Sequence, residues 1–434
     1  MFLVKNVFWR SIASKQFLSF TKKNLFGTSE TEKIKQKIAT NSPDLLLYEV
    51  QHLIIHSPDN EKAEIFKSQK HFILKNLSKV SMQSISGFII EYGKSGINDN
   101  NLISSLRWQF VKLSEKGYYC KYSLSAATNF LIQNSNDSLI CDYITKIIKA
   151  KTYDQMDLIQ AFVYLSRFKD HPIIELFLSE IPKCYEAVVK SSKVPEVLWQ
   201  MAKQNYRNDE FYIKIAENIE KIQLKNPGID VTKIFTAYAL TYFEHKAITK
   251  ALDFLMENYH SVLATRSLSN LFHELINCPL SIISPKSWDI LKTEIESREN
   301  LGENLWDLSS IFHCYKKLGF DMQPLFKHIT EENLEKANGQ QLAVIITSLN
   351  QFCTRDWLPW LKRLTLKKIN DMHAKSAMMM AMFWTQNFYW DQKFWEEFEP
   401  ILDKKLETMD TNLLEKKSLG MYKTIGARLI KLKK

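Results

Sequence analysis

Residues 305–319 read LWDLSSIFHCYKKLG, and residues 341–353 read QLAVIITSLNQFC. In both stretches the large apolar side chains recur at steps of three and four positions, which is the spacing of one face of an α-helix. The two faces contain Leu308, Ile311, Phe312, Tyr315 and Leu318 in the first stretch, and Leu342, Ile345, Ile346, Leu349 and Phe352 in the second. Because Ile346 repeats the position of Phe312, the sequence predicts a repeated amphipathic helix.

A second amphipathic helix is expected after each of these two stretches, over residues 325–334 and residues 360–369. A helix hairpin that recurs at this interval is typical of an α-solenoid. The reason is that one hairpin cannot bury its apolar face without a neighbour, so successive hairpins must stack.

The position of Phe312 can be followed through most of the chain at a repeat length typical of helix hairpins. The equivalent residues are Val50, Ile89, Ala127, Phe162, Leu198, Ala237, Phe272, Phe312, Ile346 and Met382. Eleven glycines and eleven prolines are few for 434 residues, whereas strand-rich chains need many turn residues. The sequence therefore predicts an all-α fold over residues 30–415. Its expected architecture is an α-solenoid of about nine or ten helix-hairpin repeats, each of roughly 34–40 residues.

The phrase LWDLSSIFHCYKKLGFDM over residues 305–322, with its partner at residue 341, resembles the degenerate helical repeats of organellar proteins. These are the octotricopeptide and heptatricopeptide repeat families and the helical region of the FAST-kinase-like family. The resemblance lies in an apolar helix that ends in Leu-Gly and is followed by a second helix. It implies an organellar protein that acts on RNA. Those families often end in a RAP domain, but the C-terminal sequence here is helix-like and basic, so no RAP domain is expected.

Residues 1–29 form a basic segment with five lysine and arginine side chains and no acidic one. Val4, Phe8 and Ile12 recur at every fourth position, and serines are frequent, as in a mitochondrial presequence. Residues 1–29 are therefore predicted to direct the chain to mitochondria, in the matrix or at the matrix face of the inner membrane. The alternative is a retained basic arm that packs on a partner. No segment has the ~18 uninterrupted apolar residues of a membrane span.

The net charge of +10 is concentrated at the two ends of the chain. The C-terminal segment, residues 416–434, contains no acidic side chain and seven basic ones: Lys416, Lys417, Lys423, Arg428, Lys431, Lys433 and Lys434. The two ends hold twelve of the 58 basic side chains, so residues 30–415 carry 46 basic and 48 acidic ones. Nucleic-acid binding depends on phosphate neutralisation, so this balance argues against RNA along the whole body. The basic ends are the predicted contacts to rRNA or mRNA, and they would also suit a membrane surface.

A dense group of large apolar residues lies between positions 378 and 398. Its aromatic members include Trp384, Tyr389, Trp390 and Trp395. The group covers several faces of a helix, so a single core-facing stripe does not account for it. One interpretation is a wide core at the end of the solenoid, buried by a helix over residues 412–432. The other is a partner-binding surface at these four residues, because methionine and aromatic residues are enriched at interfaces.

No metal or cofactor site is predicted from the sequence. His52 and His56 share one face of a helix beside Glu49, but a metal would need a further ligand that the sequence does not identify. A solvated or partner-contacting histidine pair is the preferred interpretation. Residues 87–95, GFIIEYGKS, resemble a phosphate-binding loop only superficially, because their glycine spacing is one position too long and no strand precedes them.

No catalytic group is predicted either, and the chain is not expected to be an enzyme. His313 and Cys314 are interpreted as the flank and the core of one helix rather than as a base and a nucleophile. The six cysteines are widely spaced without a CxxC motif, so a disulfide framework is not expected. A basic run on the helix after Trp360 is interpreted as a solvated face. It comprises Lys362, Arg363, Lys367 and Lys368.

Two functional classes follow from these observations. The preferred hypothesis is a non-catalytic scaffold subunit, docked against other protein subunits of a large mitochondrial assembly such as the ribosome, a respiratory complex or the ATP synthase. The alternative is a mitochondrial RNA-binding factor for transcript maturation, stability or translation. The near-neutral body favours the scaffold, and the family resemblance favours the RNA-binding factor.

Overall fold

The chain is helical throughout the part that the structure describes. The computed structural model describes residues 28–39, 46–133, 137–166, 171–241, 244–349, 356–386 and 392–407. Within these ranges it contains 22 α-helices and short 3₁₀ turns, and it contains no β-strand. The prediction of an all-α fold is confirmed for these residues. None of the described helices is both long and apolar enough to cross a membrane.

The chain divides into two compact units between Tyr206 and Arg207. This boundary lies in the short connector between the eleventh and twelfth helices. The helices of unit 1 are α1 Thr28–Ala39, α2 Leu47–His56, α3 Asp59–Asn76, α4 Met82–Ser95, α5 Asn100–Glu115, α6 Ser123–Gln133, α7 Ser138–Ala150, α8 Gln155–Leu165, α9 Ile173–Glu180, α10 Tyr185–Lys190 and α11 Val194–Lys203.

Unit 2 contains eleven further helices within the described residues. They are α12 Asp209–Glu217, α13 Pro227–Thr241, α14 Lys246–Tyr259, α15 Thr265–Leu275, α16 Pro285–Ser297, α17 Leu305–Leu318, α18 Glu331–Glu335, α19 Gly339–Leu349, α20 Leu358–Lys368, α21 Ala374–Gln386 and α22 Gln392–Glu407.

Local sequence signals set the ends of many helices. The side chains of Ser81, Asp99 and Asp154 lie at the N-caps of α4, α5 and α8, where each accepts a hydrogen bond from a backbone N–H of the first turn. Helix α17 ends at Gly319, whose φ of 71° lies in the left-handed region that glycine adopts without strain. The predicted break at Gly319 is therefore confirmed.

In unit 1 the helices pack in two alternating rows. The first row runs α2, α4, α6 and α8, and each of these helices packs on the next. The second row runs α3, α5, α7 and α9 in the same way. Helices α2, α4 and α6 also pack on the helices that follow them in sequence, so the apolar faces of the two rows meet in a core.

Unit 2 has the same alternation. Its first row runs α13, α15, α17, α19 and α21, and each helix packs on the next. In its second row α12 packs on α14 and α14 on α16, and likewise α18 on α20 and α20 on α22. We call the helices of the first row in each unit first helices, and those of the second row second helices.

The positions equivalent to Phe312 lie in the core of both units. Nine of the ten are fully buried at 0 % exposure: Val50, Ile89, Ala127, Phe162, Leu198, Ala237, Phe272, Phe312 and Ile346. The tenth, Met382, is half-buried, and its helix α21 buries Met378 and Ala381 instead. The periodicity that the sequence predicts is thus confirmed at nine positions, and the register is wrong in α21.

The predicted second helix over residues 325–334 is wrong in its continuity. The chain forms a 3₁₀ turn, Gln323–His328, and then the five-residue helix α18. Ile329 leaves the helical region at φ −90° and ψ 81°, and Thr330 starts the new helix by accepting a hydrogen bond from the backbone N–H of Asn333. A capping threonine inside the segment therefore divides it.

Candidate interaction surfaces

Two of the four aromatic residues that were predicted to bind a partner lie in the core of unit 2. Trp384 is 0 % exposed, packs on Phe394 at 5.0 Å between ring centroids, and donates a hydrogen bond from Nε1 to Thr365 Oγ1 at 3.3 Å. Trp395 is 8 % exposed and packs on Phe398 at 5.6 Å. These two side chains join α20, α21 and α22 and offer almost no exposed indole surface to a partner.

The other predicted contact residues lie outside the described part of the chain. They are Tyr389 and Trp390 of the aromatic group, and Lys416, Lys417, Lys423, Arg428, Lys431, Lys433 and Lys434 of the basic tail. Residues 1–27 of the predicted presequence and the expected helix over residues 412–432 also lie outside it. These predictions stay predictions.

The histidine pair on α2 is close together but lacks a set of metal ligands. The rings of His52 and His56 are 4.2 Å apart, and burial and the charge of His56 lower the pKa of His52. The carboxylate of Glu49 is held by Lys37 Nζ and by the backbone N–H of Leu46, both at 2.8 Å. Throughout the described residues, no group of three or more His, Cys, Asp or Glu side chains is placed to hold a metal ion.

The other motifs that could suggest chemistry also have structural roles. Residues 87–95 lie inside helix α4, where Lys94 Nζ contacts Glu91 at 2.5 Å, so they form no phosphate loop. The thiol of Cys314 is buried, and burial raises its pKa to about 12, which keeps it protonated. His313 lies on the exposed side of the same helix.

The basic run on α20 is partly neutralised by the preceding second helix. Arg363 forms an ion pair with Glu331 of α18, and Lys367 Nζ contacts Glu335 of α18 at 2.7 Å. Both pairs bridge successive second helices at the surface. This run therefore bridges two repeats at the surface instead of forming a free basic stripe.

Unit 1 buries an ion cluster between successive repeats. Lys62 of α3 and Glu91 of α4 are both buried and lie 2.5 Å apart. Burial alone would lower the pKa of Lys62, but the charge of Glu91 and the hydrogen bond to Asp59 outweigh it, so the pKa is raised. Lys94 also contacts Glu91. Removal of Glu91 would therefore leave a buried ammonium group with less compensation.

Asp157 ties first helix α8 to the start of first helix α6. It accepts hydrogen bonds from the backbone N–H groups of Leu124 and Ser125 at 2.8 and 3.1 Å, and from the Ser125 hydroxyl. The start of a helix has unpaired N–H donors, so this carboxyl group caps α6 from the next repeat. Burial nevertheless raises the pKa of Asp157 to about 7.

Unit 1 also carries an open cavity on its second helices. We call it the Trp108 groove. It is lined by Leu74 of α3, Leu77 of the following 3₁₀ turn, and Ser104, Trp108 and Gln109 of α5, and its volume is about 460 Å³. Trp108 is 60 % exposed at its rim, and Lys112 Nζ lies 4.7 Å from the centre of the indole ring.

In unit 2 a row of polar side chains lies along α15, the turn that follows it, and α17. Its members occupy matching positions of the two repeats, in the same register as Phe272 and Phe312. Lys317 Nζ donates a hydrogen bond to Asn277 Oδ1 at 2.9 Å, which joins the two repeats. Burial and the charges of Lys317, His273 and Lys316 lower the pKa of His313. We call the following residues the polar row: Asn270, His273, Asn277, Ser310, His313 and Lys317.

Sequence reasoning missed both the Trp108 groove and the polar row. The signal for the groove was present, because Trp108 lies among polar residues, away from the stripe that Leu102, Leu106 and Phe110 form. A large aromatic side chain on the polar face of an amphipathic helix predicts an exposed contact. The polar row could also have been found from the sequence. The interval that relates Phe272 to Phe312 also relates the polar residue His273 to His313.

A search against models of protein families finds no family that matches the chain. A search of curated proteins finds no match either.

Proposed function

We propose that the chain is a non-catalytic helical-repeat scaffold, in which the hairpins of each unit stack as a solenoid. The observation that carries this proposal is the pair of alternating rows in each unit, with first helix on first helix and second helix on second helix. In a solenoid each repeat contacts mainly its neighbours, so the outer faces of many helices remain available for other subunits. The regular burial of the Phe312-equivalent residues supports the same arrangement.

The ionic contacts of the described residues support a structural role. Many charged side chains form ties between positions about one repeat apart, as in the pairs Arg107 with Asp137, Arg266 with Asp307 and Lys367 with Glu335. Such contacts hold adjacent repeats in register.

The proposed host is a large mitochondrial assembly, such as the ribosome, a respiratory complex or the ATP synthase. The basic, acid-free residues 1–29 support import, and the basic residues 416–434 suit contact with anionic neighbours such as rRNA. The near-neutral charge of residues 30–415 supports contacts with protein. A reporter fused to residues 1–29 should enter mitochondria, and a diffuse cytosolic signal would contradict this part of the proposal.

The scaffold role is tested by density-gradient fractionation of mitochondrial extracts, with and without RNase. We expect the chain to co-migrate with a complex far larger than its own 50.9 kDa. Its identified companions should be subunits of one assembly. Migration as a free monomer in both samples would contradict the proposal.

The second candidate function is an organellar RNA-binding factor, and the polar row of unit 2 favours it. Proteins that read RNA with helical repeats present side chains from successive repeats to successive bases. The polar row offers amide, imidazole and hydroxyl groups at matching positions of two repeats.

Substitution of His273, Asn277 and His313 by alanine separates the two candidates. An RNA reader should lose affinity and sequence preference for single-stranded RNA at these positions. If the chain is a scaffold, the variant with all three alanines should bind single-stranded RNA as weakly as the unchanged chain. A variant with alanine at Lys250, which is exposed on second helix α14, controls for the loss of a polar surface residue.

A further inference from the structure

The Trp108 groove combines an apolar interior with a basic rim. The segment 65–79 of α3 and its 3₁₀ turn contains Lys67, Lys70, Lys75 and Lys79 and no acidic residue. Helix α5, Asn100–Glu115, contains Arg107 and Lys112 and one acidic residue, Glu115, at its last position. These two segments wall the groove, so its surroundings are positively charged although the body as a whole is nearly neutral.

Several of these cations are not used to hold the repeats together. Lys70 pairs with Asp99 and Arg107 pairs with Asp137, but Lys67, Lys75 and Lys79 have no ion-pair partner among the described residues. All three of these lysines are exposed. Lys75 follows Leu74 directly and Lys79 lies in the same 3₁₀ turn as Leu77, so both stand beside groove residues. The rim can therefore attract an anionic partner at modest salt concentration.

The interior of the groove fits a large apolar side chain. Leu74 and Leu77 form one wall, and the exposed ring of Trp108 forms the other. Tryptophan is among the residues that most often dominate binding at protein interfaces.

The groove contains a buried polar group that has no partner. Gln109 lines it and is only 3 % exposed, yet its side-chain oxygen Oε1 accepts no hydrogen bond within the described residues. Buried amide groups are normally paired, because an unpaired one loses its contacts with water without replacement. This oxygen is closed off from solvent, so it belongs to the packing of the groove wall.

We infer that the Trp108 groove is the docking site for an acidic segment of a partner protein. The segment places one large apolar side chain between Leu74 and Trp108, and its flanking carboxylates face Lys75 and Lys79. The inference rests on the proposed scaffold role and deepens it, because it gives the chemistry of one protein that the scaffold holds.

The chain's own undescribed ends are poor candidates for this occupant. Residues 1–27 carry five basic side chains and no acidic one, and residues 408–434 carry seven basic side chains and two acidic ones, Asp410 and Glu415. Both would be repelled by the lysines at the rim. Single-stranded RNA is anionic and can stack on tryptophan, so the experiment must distinguish it from peptide. The aliphatic wall of Leu74 and Leu77 favours a protein side chain over a base.

The experiment selects ligands from a displayed library of random dodecapeptides on the immobilised full-length chain. The strongest peptides are then synthesised with a fluorescent label, and their affinity is measured by anisotropy. We expect the selected peptides to combine aspartate or glutamate with a large apolar residue. Trp108→Ala should weaken their binding at least about tenfold. The double change Lys75→Glu and Lys79→Glu should weaken it as well, and less so at high salt.

Matched variants control for these changes. Trp306→Ala removes an indole that is 52 % exposed in unit 2, and Lys250→Glu reverses an exposed charge there; neither should alter the affinity. Circular dichroism should show that Trp108→Ala keeps its helix content and melting temperature. An oligo(U) RNA of the same length as the peptides serves as the competitor.

Three results would overturn the inference. They are the absence of any selected peptide that depends on Trp108, a selected set without acidic residues, and displacement of the peptide by oligo(U) at equal or lower concentration. Co-migration with a mitochondrial complex would be unaffected by any of them. Failure of the docking site and failure of the scaffold role can therefore be told apart.

Discussion

The described first helices bury two carboxylates in unit 1, Glu91 and Asp157, and one in unit 2, Asp307. In unit 1, Glu91 is 2 % exposed and Asp157 is 6 % exposed, and both are held by polar groups of the neighbouring repeat. In unit 2, the polar row places His273 and His313 on an exposed side, although Asp307 is a buried exception. The same apolar repeat thus carries a buried carboxylate tie in both units, and unit 2 adds an exposed polar row.

This difference indicates that the apolar spacing and the polar groups have separate tasks. The apolar positions determine that helices stack, and they are buried in both units. The polar groups either tie neighbouring repeats, as at Glu91 and Asp157, or remain in water, as in the polar row. Four pairs of variants test this contrast between the units.

The largest effect is expected from the shared core, where the two units should behave alike. Phe162→Ala in unit 1 and Phe312→Ala in unit 2 should each lower the free energy of unfolding by about 3–5 kcal/mol, because both side chains are fully buried. Chemical denaturation measures this change. Trp306→Ala is the exposed control. A loss below about 1 kcal/mol for either phenylalanine would show that the repeat register is misplaced in that unit.

The ion pairs between repeats should separate the units. Glu91→Gln should destabilise the chain by about 3–5 kcal/mol, because it leaves the buried ammonium of Lys62 without its main compensation. Glu335→Gln removes the ion pair between Glu335 and Lys367. Because both side chains are about half exposed, this change should leave the denaturation midpoint unchanged. Equal effects of the two substitutions would contradict the contrast between buried and exposed ties.

The pH dependence of stability should also separate the units. Burial raises the pKa of Asp157 from its ordinary value of 3.8 to about 7. Between these two pH values the folded state therefore binds a proton that the unfolded state has released. Its contribution to stability is therefore fully present below the ordinary pKa and is lost as the pH rises through the folded pKa. Relative to Asp157→Asn, the free energy of unfolding of the unchanged chain should fall by about 2–4 kcal/mol between about pH 4 and pH 8.

His328 of unit 2 should respond in the opposite direction. Burial and the charge of Lys327 lower its pKa, so the unfolded state takes up the proton first as the pH falls through the ordinary value of 6.5. Relative to His328→Gln, the unchanged chain should lose stability on acidification. Denaturation curves for the unchanged chain and both variants at several pH values check both signs. Parallel pH profiles for all three proteins would contradict them.

A smaller effect is expected from two glycines at helix contacts. A Cβ at Gly339 would lie 2.6 Å from Met372 Cγ and 3.0 Å from the backbone nitrogen of Met372, so Gly339→Ala should cost about 1–3 kcal/mol. A Cβ at Gly87 would meet only the end of the Gln51 side chain, which can move aside. Gly87→Ala should be neutral or slightly stabilising by its helix propensity. Thermal unfolding of both variants measures the difference, and a larger loss at Gly87 would contradict it.

The helices and the core could be predicted well because both depend on local periodicity. The interval from Phe272 to Phe312 and from Phe312 to Ile346 could be read directly, and all three residues are fully buried. The register is wrong at Met382, because the apolar residues of α21 cover several faces and do not mark a unique stripe. The two-unit division and the split at Ile329 depend on packing and capping that periodicity does not encode.

The candidate surfaces were predicted less well because exposure is a property of packing. Trp384 and Trp395 were candidates for a partner surface by composition, but three helices meet around them and bury them. Trp108 was not singled out, although it is a strongly exposed indole in the described part of unit 1. Which of several aromatic residues remains in water depends on where the neighbouring repeat lies.

The most direct test of the scaffold account is equilibrium binding of single-stranded RNA by residues 30–415 near physiological salt. The account predicts weak binding that does not depend on base sequence, because the acidic and basic residues of this body nearly cancel. Addition of residues 416–434 should bring salt-sensitive affinity that is also independent of sequence. Tight, sequence-selective binding by residues 30–415 would contradict the scaffold and support an RNA reader that uses the polar row.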